Sequence, residues 1–129
     1  MNAAAVLAAT TDLDDVLDDL AGLTWIPGIN TILTGIRETQ DAINEGHLTL
    51  DATQTLLAGT AGSAGADLVT ALAHLVTTAT NPDTNPTLRR LPLDQQKETQ
   101  HHGEIALYNL TDTDLHQPAS EASAAISSH

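Results

Sequence analysis

Three features of the sequence predict an all-α protein, namely a small bundle of three to five helices with a proline-containing linker and a C-terminal arm. Apolar residues recur at steps of three and four in several segments, which is the spacing of one helix face. No segment combines sustained alternation with turn residues, so strands are not expected. Leu, Ile and Val account for 30 of the 129 residues and Phe is absent, so the core should be aliphatic and thin.

The first predicted helix follows Thr10 and Thr11, either of which can cap it. Its apolar positions fall at helical spacing, and Pro27 lies beyond its end. We expect residues 1–10 to form an N-terminal extension and residues 11–80 to form the helical core. The apolar stripe consists of Leu13, Val16, Leu17, Leu20 and Leu23.

The second predicted helix begins near Pro27, because proline suits the first position of a helix. Arg37 and Asp41 lie four residues apart and support it weakly, and Gly46 is a typical stop. Its apolar stripe consists of Ile29, Ile32, Leu33, Ile36 and Ile43.

A third helix is predicted from Thr49 or Asp51 onward, and it meets a run of small residues at 58–66. Two interpretations stay open for this run. Each glycine costs a helix about 1 kcal/mol relative to alanine, which favours a break or kink. A continuous helix would instead use the small side chains as a close-contact seam with another helix, formed by Gly59, Gly62 and Gly65. A further helical stripe follows at Leu68, Val69, Leu72, Leu75 and Val76.

The composition changes after residue 80. Residues 81–92 contain three of the five prolines and two of the four basic residues, so they are expected to form a linker or an extended arm. Residues 93–129 should comprise a C-terminal helix and a frayed tail, because the segment from Pro118 onward is rich in Ser and Ala.

Charge and composition exclude several function classes. Seventeen acidic residues against four basic ones give a formal charge of −13, which opposes binding to nucleic acid and to anionic lipid. The absence of cysteine excludes thiolate catalysis, thiolate metal sites and disulfides. Neither a signal peptide nor a transmembrane helix is evident, so we expect a soluble, cytoplasmic protein, with leaderless export left open.

The acidic residues concentrate on the first predicted helix. They form a solvated face or, in the functional interpretation, a docking surface for a basic protein partner. Trp25 and Ile26, beside the turn at Pro27, are the expected apolar anchors of such a surface, because aromatic residues dominate interface energetics. The acidic cluster consists of Asp12, Asp14, Asp15, Asp18 and Asp19.

One cluster has the composition of a metal site. Glu98 precedes His101 by three residues and His102 by four, so a carboxylate and an imidazole could share a metal on one helix. Two ligands on one helix are too few for a tight site, and a solvated polar face is the simpler interpretation. No motif for nucleophilic catalysis or phosphate binding is present, and no cofactor is expected.

A further motif lies at the turn after the first helix. Trp25-Ile-Pro-Gly28 resembles the W-x-G turn of small helical-hairpin proteins exported by actinobacterial type VII systems, with one residue more. Tyr108 and Asp112 have the spacing of the Y-x-x-x-[DE] signal in those proteins. The predicted first helix, residues 11–23, is too short for that hairpin, so we do not assign the chain to this family.

The sequence therefore leaves three functional hypotheses. The first is a non-enzymatic interaction protein, an adaptor or antagonist that binds a basic partner. The second is a self-assembling structural subunit, such as a phage or particle component, because a thin core favours homo-oligomerisation. The third is a helical metal-binding protein that uses the Glu/His cluster.

Overall fold

The all-α class is confirmed. The computed structural model describes the backbone of residues 3–127 and the side chains of residues 12–127. Within this range every regular element is helical, with six α-helices and two short 3-10 helices. The chain divides into two compact units, Met1–Leu48 and Thr49–His129, whereas the sequence predicts one helical core over residues 11–80.

The first unit is a pair of helices joined by a short turn. Helix α1 covers Ala3–Leu20 and helix α2 covers Ile29–Asn44, with a 3-10 helix, Ala21–Leu23, after α1. The structure thus continues α1 back to Ala3, into the segment predicted as an extension, because alanine has the highest helix propensity. Residues 1 and 2 of that segment lie outside the described residues.

Two leucines are the buried apolar side chains among the described residues of this unit. Leu17 of α1 is 1% exposed and Leu33 of α2 is 5% exposed. Arg37 of α2 donates a hydrogen bond to Asp18 of α1 at 3.3 Å, which joins the helices at their surface. Gly28 precedes α2 with a φ of 92°, a left-handed conformation that glycine adopts without strain.

The second unit contains four helices. They are α3, Leu50–Ala61; α4, Leu68–Thr80; α5, Leu93–Leu110; and α6, Thr113–Ser127. Helix α3 packs on α6 and on α4, and α4 also packs on α5. The predicted linker over residues 81–92 contains a 3-10 helix, Pro86–Arg90.

The run of small residues contains a break, which decides between the two interpretations that the sequence leaves open. Helix α3 ends at Ala61 and α4 begins at Leu68, so the helix does not continue through. Both helices start with a side-chain cap: Thr49 accepts a hydrogen bond from the Ala52 N–H at 3.0 Å, and Asp67 accepts one from the Thr70 N–H at 2.8 Å. A capping carboxylate that directly follows a glycine-rich run is a strong local signal for a new helix.

The C-terminal segment differs from its prediction as a frayed tail. It forms α6, which packs on α3 and buries His116 and Ser123, although Pro118 lies inside the helix. Tertiary packing overrides the low helix preference of this segment, as it commonly does for short helices. Residues 128 and 129 of the predicted tail lie outside the described residues.

Two glycines permit close approach between helices of the second unit. A Cβ at Gly62 would lie 3.0 Å from both the Leu57 carbonyl oxygen and the Ser120 nitrogen. A Cβ at Gly103 would overlap the side chain of Thr80. The α3–α6 and α4–α5 contacts therefore each depend on a missing side chain. No helix of the described residues has both the length and the apolar character needed to cross a membrane.

Candidate functional site

The predicted acidic cluster lies on the last two turns of α1. Asp12, Asp15, Asp18 and Asp19 are exposed, and Asp14 is half-buried. Arg37, through its contact with Asp18, is the only basic residue within ion-pair distance of this cluster in the described part of the chain. The first unit therefore presents a surface of carboxylates that is largely uncompensated.

Trp25 lies in the turn that joins α1 to α2. Its side chain is 79% exposed, whereas Ile26 is half-buried and its N–H donates to the Leu23 carbonyl at 3.0 Å. The hydrogen-bonded turn holds the backbone of Trp25 in place and leaves the indole in solvent. This indole is the largest exposed aromatic group of the first unit, and it occurs on the same unit as the acidic cluster.

Apolar exposure extends well beyond Trp25. In the described residues, Leu17, Leu33 and Ala73 are the buried apolar side chains, while fifteen large apolar side chains are exposed. Single exposed apolar residues are normal on a protein surface, so a set that shares one helix face is the more informative feature. On α4 three such residues share one face, because Leu68, Leu72 and Leu75 recur at steps of four and three.

The three glycines of the predicted seam do not act together. Gly62 makes the close approach to α6, whereas Gly59 and Gly65 would each accept a Cβ without a neighbour within 4 Å. Gly65 has a φ of 91° and therefore serves the loop between α3 and α4. Of these three glycines, Gly62 is the one that contacts another helix of the chain.

The Glu/His cluster lies on the exposed surface of α5. Glu98 and His102 approach to 3.8 Å, and the rings of His101 and His102 lie 5.7 Å apart at their centroids. Within the described residues no group of three or more His, Asp or Glu side chains is arranged to hold a metal ion. The structure thus brings together two of the three proposed ligands and supplies no further ones.

Sequence reasoning missed the principal polar cluster of the molecule. His116 of α6 and Asp67, the cap of α4, form a buried ion pair with 2.5 Å between Nδ1 and Oδ2. The side chains are 3% and 0% exposed. Asp67 also accepts hydrogen bonds from the Ser63 N–H at 3.0 Å and from the Thr70 hydroxyl at 2.7 Å.

The surroundings of His116 determine its protonation. Nδ1 faces a carboxylate, and Nε2 lies 2.6 Å from the carbonyl oxygen of Leu110. Both partners can only accept, so each ring nitrogen must carry a proton, and the ring is an imidazolium. Because neither nitrogen is free, His116 is not placed to take a proton from a substrate.

The pKa values of the pair shift in the directions that this geometry requires. The hydrogen bond to the Leu110 carbonyl is the largest influence on the pKa of His116 and raises it. The Asp67 carboxylate also raises the pKa of His116, whereas burial lowers it. For Asp67, burial raises the pKa, but the hydrogen bonds from Thr70, Ser63 and His116 outweigh it and lower the pKa to about 2. The Asp67 carboxylate is therefore ionised in the neutral range, and the raised pKa of His116 favours its charged form.

A shallow cleft of about 280 Å³ lies beside His116, between the N-terminal half of α6 and the loop after α3. Every buried side-chain nitrogen and oxygen of the described residues already has a hydrogen-bond partner. The cleft therefore contains no unsatisfied buried group that would select a ligand. Its lining residues are Gly62, Ala64, Thr113, His116, Gln117 and Ser120.

Comparisons with protein-family models, with curated proteins and with solved structures find no match for the chain.

Proposed function

We propose that the protein is a non-enzymatic interaction protein, an adaptor or antagonist, whose α1–α2 unit binds a basic protein partner. The observation that carries this proposal is the 79% exposed indole of Trp25 on a unit that also presents an acidic helix face. Leaving an indole in water forgoes a large gain in burial, which a partner surface would recover.

The two features would contribute differently to binding. Aromatic anchors supply most of the affinity of an interface, because they fill a pocket and exclude water. The exposed carboxylates of Asp12, Asp15 and Asp19 would steer a basic partner and exclude acidic ones. Since the Debye length falls from about 30 Å at 0.01 M salt to about 3 Å at 1 M, steering should be sensitive to salt.

The charge contribution can be isolated with two variants of equal net charge. Changing Asp12, Asp15 and Asp19 to Asn removes three negative charges from α1. Changing Asp51, Asp83 and Asp94 to Asn removes three exposed charges from the second unit. Native mass spectrometry of the protein purified gently from its host identifies the partner, and stopped-flow kinetics then compares the variants.

We expect the α1 variant to lower the association rate about tenfold or more at low salt, and to abolish most of its salt dependence. The second variant should leave both nearly unchanged. Equal effects of the two variants would show that only net charge matters and would contradict a docking role for α1.

A specific observation favours self-association as a second candidate function. Helix α4 contains no Asp, Glu, Lys or Arg, and its outer face carries Leu68, Leu72 and Leu75, each about half-exposed. Two copies of a chain with a charge of −13 could meet through this helix without bringing carboxylates together.

Sedimentation equilibrium tests this candidate. Self-association through α4 predicts a concentration-dependent oligomer that Leu72→Glu converts to a monomer. Ile43→Glu, at a similarly exposed apolar position of α2, should leave the oligomer intact. A monomer at all concentrations, or equal sensitivity to both changes, would contradict it.

A further inference from the structure

The fully buried side chains of helix α6 are polar. Its buried residues are His116 and Ser123, and its largest apolar side chain near the N-terminus, Leu115, is 45% exposed. Ser123 donates to the Gln54 carbonyl at 3.0 Å, and Gln54 in turn contacts Ser127. In the N-terminal half of α6, where Leu115 is the largest apolar side chain, the apolar contribution that normally stabilises a short helix is therefore small.

The N-terminal half of α6 depends on His116 in particular. Nδ1 contacts the Asp67 carboxylate at the start of α4, and Nε2 contacts the Leu110 carbonyl at the end of α5. One imidazolium thus connects three helices of the second unit. Pro118, which lacks an N–H, reduces the backbone hydrogen bonding of α6 just beyond this point.

A neutral imidazole cannot maintain both contacts. It has one N–H and one nitrogen lone pair, so a lone pair would face either the carboxylate or the carbonyl oxygen. One buried acceptor would also lose its donor, which is unfavourable in a site from which water is excluded. Deprotonation must therefore break at least one of the two contacts.

We propose that His116 and Asp67 form a pH-dependent latch: the imidazolium holds the N-terminal half of α6 against the loop between α3 and α4, and loss of its proton releases that half. The latch does not rest on the proposed binding of a partner, because its residues belong to the second unit.

Helices α3, α4 and α5 and the α3–α4 loop place the groups that act on His116. The α3–α4 loop supplies Asp67, the charged group in contact with the ring in the described part of the chain. Helix α3 and helix α5 supply the backbone carbonyls of Ala61 and Leu110, which also favour the protonated ring. Helix α4 acts through Thr70, whose hydroxyl and N–H hold the Asp67 carboxylate.

The direction of the switch follows from these contacts. Because the pKa of His116 is raised above its ordinary value of 6.5, the latch is closed below pH 6.5 and opens as the pH rises through the raised value. The pKa of Asp67, about 2, keeps its carboxylate ionised throughout this range, so the histidine alone sets the transition.

Hydrogen–deuterium exchange of the full-length chain between pH 6 and pH 10, corrected for the intrinsic exchange rate, tests the latch. We expect the segment 113–120 to lose protection about tenfold for each unit by which the pKa of His116 is higher in the closed latch than in the open one. The α4 segment should retain its protection. In the His116→Gln variant the segment 113–120 should exchange rapidly already at pH 6, and its protection should not change further as the pH rises. The control His74→Gln, at an exposed histidine of α4, should behave like the wild type.

A second measurement requires no variant. The proton resonances of the His116 ring, followed by NMR in the wild-type chain, should titrate with a pKa above 6.5 and in step with the loss of protection. Titration at or below 6.5 would overturn the latch. Protection of 113–120 that does not depend on pH in the wild type would overturn it as well.

Discussion

The carboxylate of Asp67 lies 2.5 Å from Nδ1 of His116, so the residue that caps α4 also anchors α6, 49 positions further along the chain. Local helix capping and long-range packing thereby use the same side chain. The consequence is that a change at Asp67 should disturb two helices, whereas a change at an ordinary cap disturbs one.

A comparison of two caps tests this difference. Thr49→Ala should lower the free energy of unfolding by about 1 kcal/mol, the usual effect of losing an exposed cap. Asp67→Ala should lower it by clearly more, because His116 and the Ser63 N–H also lose their acceptor. Urea unfolding followed by circular dichroism measures both. Equal losses would mean that the contact with His116 contributes nothing.

Global stability should depend on pH in a specific direction. The raised pKa of His116 contributes stability that is complete below pH 6.5 and lost as the pH rises through the raised value. The lowered pKa of Asp67 contributes stability that is complete above its ordinary value of 3.8 and lost as the pH falls toward about 2. The contribution of the pair is therefore largest between about pH 4 and 6.5.

Urea unfolding at a series of pH values checks this expectation. Subtracting the curve of His116→Gln from that of the wild type isolates the contribution of the pair from that of the other acidic groups. The difference should decline on the alkaline side. A difference that grows from pH 6.5 to pH 9 has the wrong sign for an imidazolium contact.

Two glycine substitutions of the same chemical type should have opposite effects. Gly62→Ala places a Cβ 3.0 Å from backbone atoms of Leu57 and Ser120, so it should destabilise the second unit by about 1–3 kcal/mol. Gly59→Ala lies within α3 and meets nothing within 4 Å, so it should stabilise by up to about 1 kcal/mol. Thermal unfolding measures the change in stability of each variant relative to the wild type. The same sign for both would contradict the close approach of α6 to Gly62.

The exposure of Trp25 makes a prediction for the free protein. Because Trp25 is the single tryptophan, fluorescence excited selectively at tryptophan reports on it alone and not on Tyr108. Acrylamide should quench this fluorescence in the folded chain nearly as well as in urea. Trp25→Ala should change the free energy of unfolding by no more than about 0.5 kcal/mol, as for most surface substitutions. Strong protection from quenching would place the indole in a buried site.

Much of the fold was predictable from local patterns. The stripes that begin at Leu13, Ile29 and Leu68 mark three of the helices, whereas the small residues at 58–66 are compatible with both a break and a continuous helix. Each stripe is recognised from the spacing of neighbouring residues, which is the range over which helix periodicity and capping act.

The buried ion pair was not predictable in this way. His116 lies in a segment rich in Ser and Ala that resembles a disordered tail, and no local pattern connects it to Asp67. The available local signal was Asp67 itself, an aspartate at the start of an apolar stripe and hence a cap. Its second role depends on the packing of α6 against α3, which local spacing does not encode.

Native mass spectrometry on untagged chains purified gently from the host tests most directly whether the α1–α2 unit binds a basic protein. Trp25→Ala and Tyr108→Ala form a matched pair, because both aromatic side chains are exposed, at 79% and 74%, and they belong to different units. We predict a stoichiometric basic partner with the wild type and with Tyr108→Ala, and its loss with Trp25→Ala. A bare monomer or a pure homo-oligomer of the wild type, or a complex that survives Trp25→Ala, would contradict the proposal.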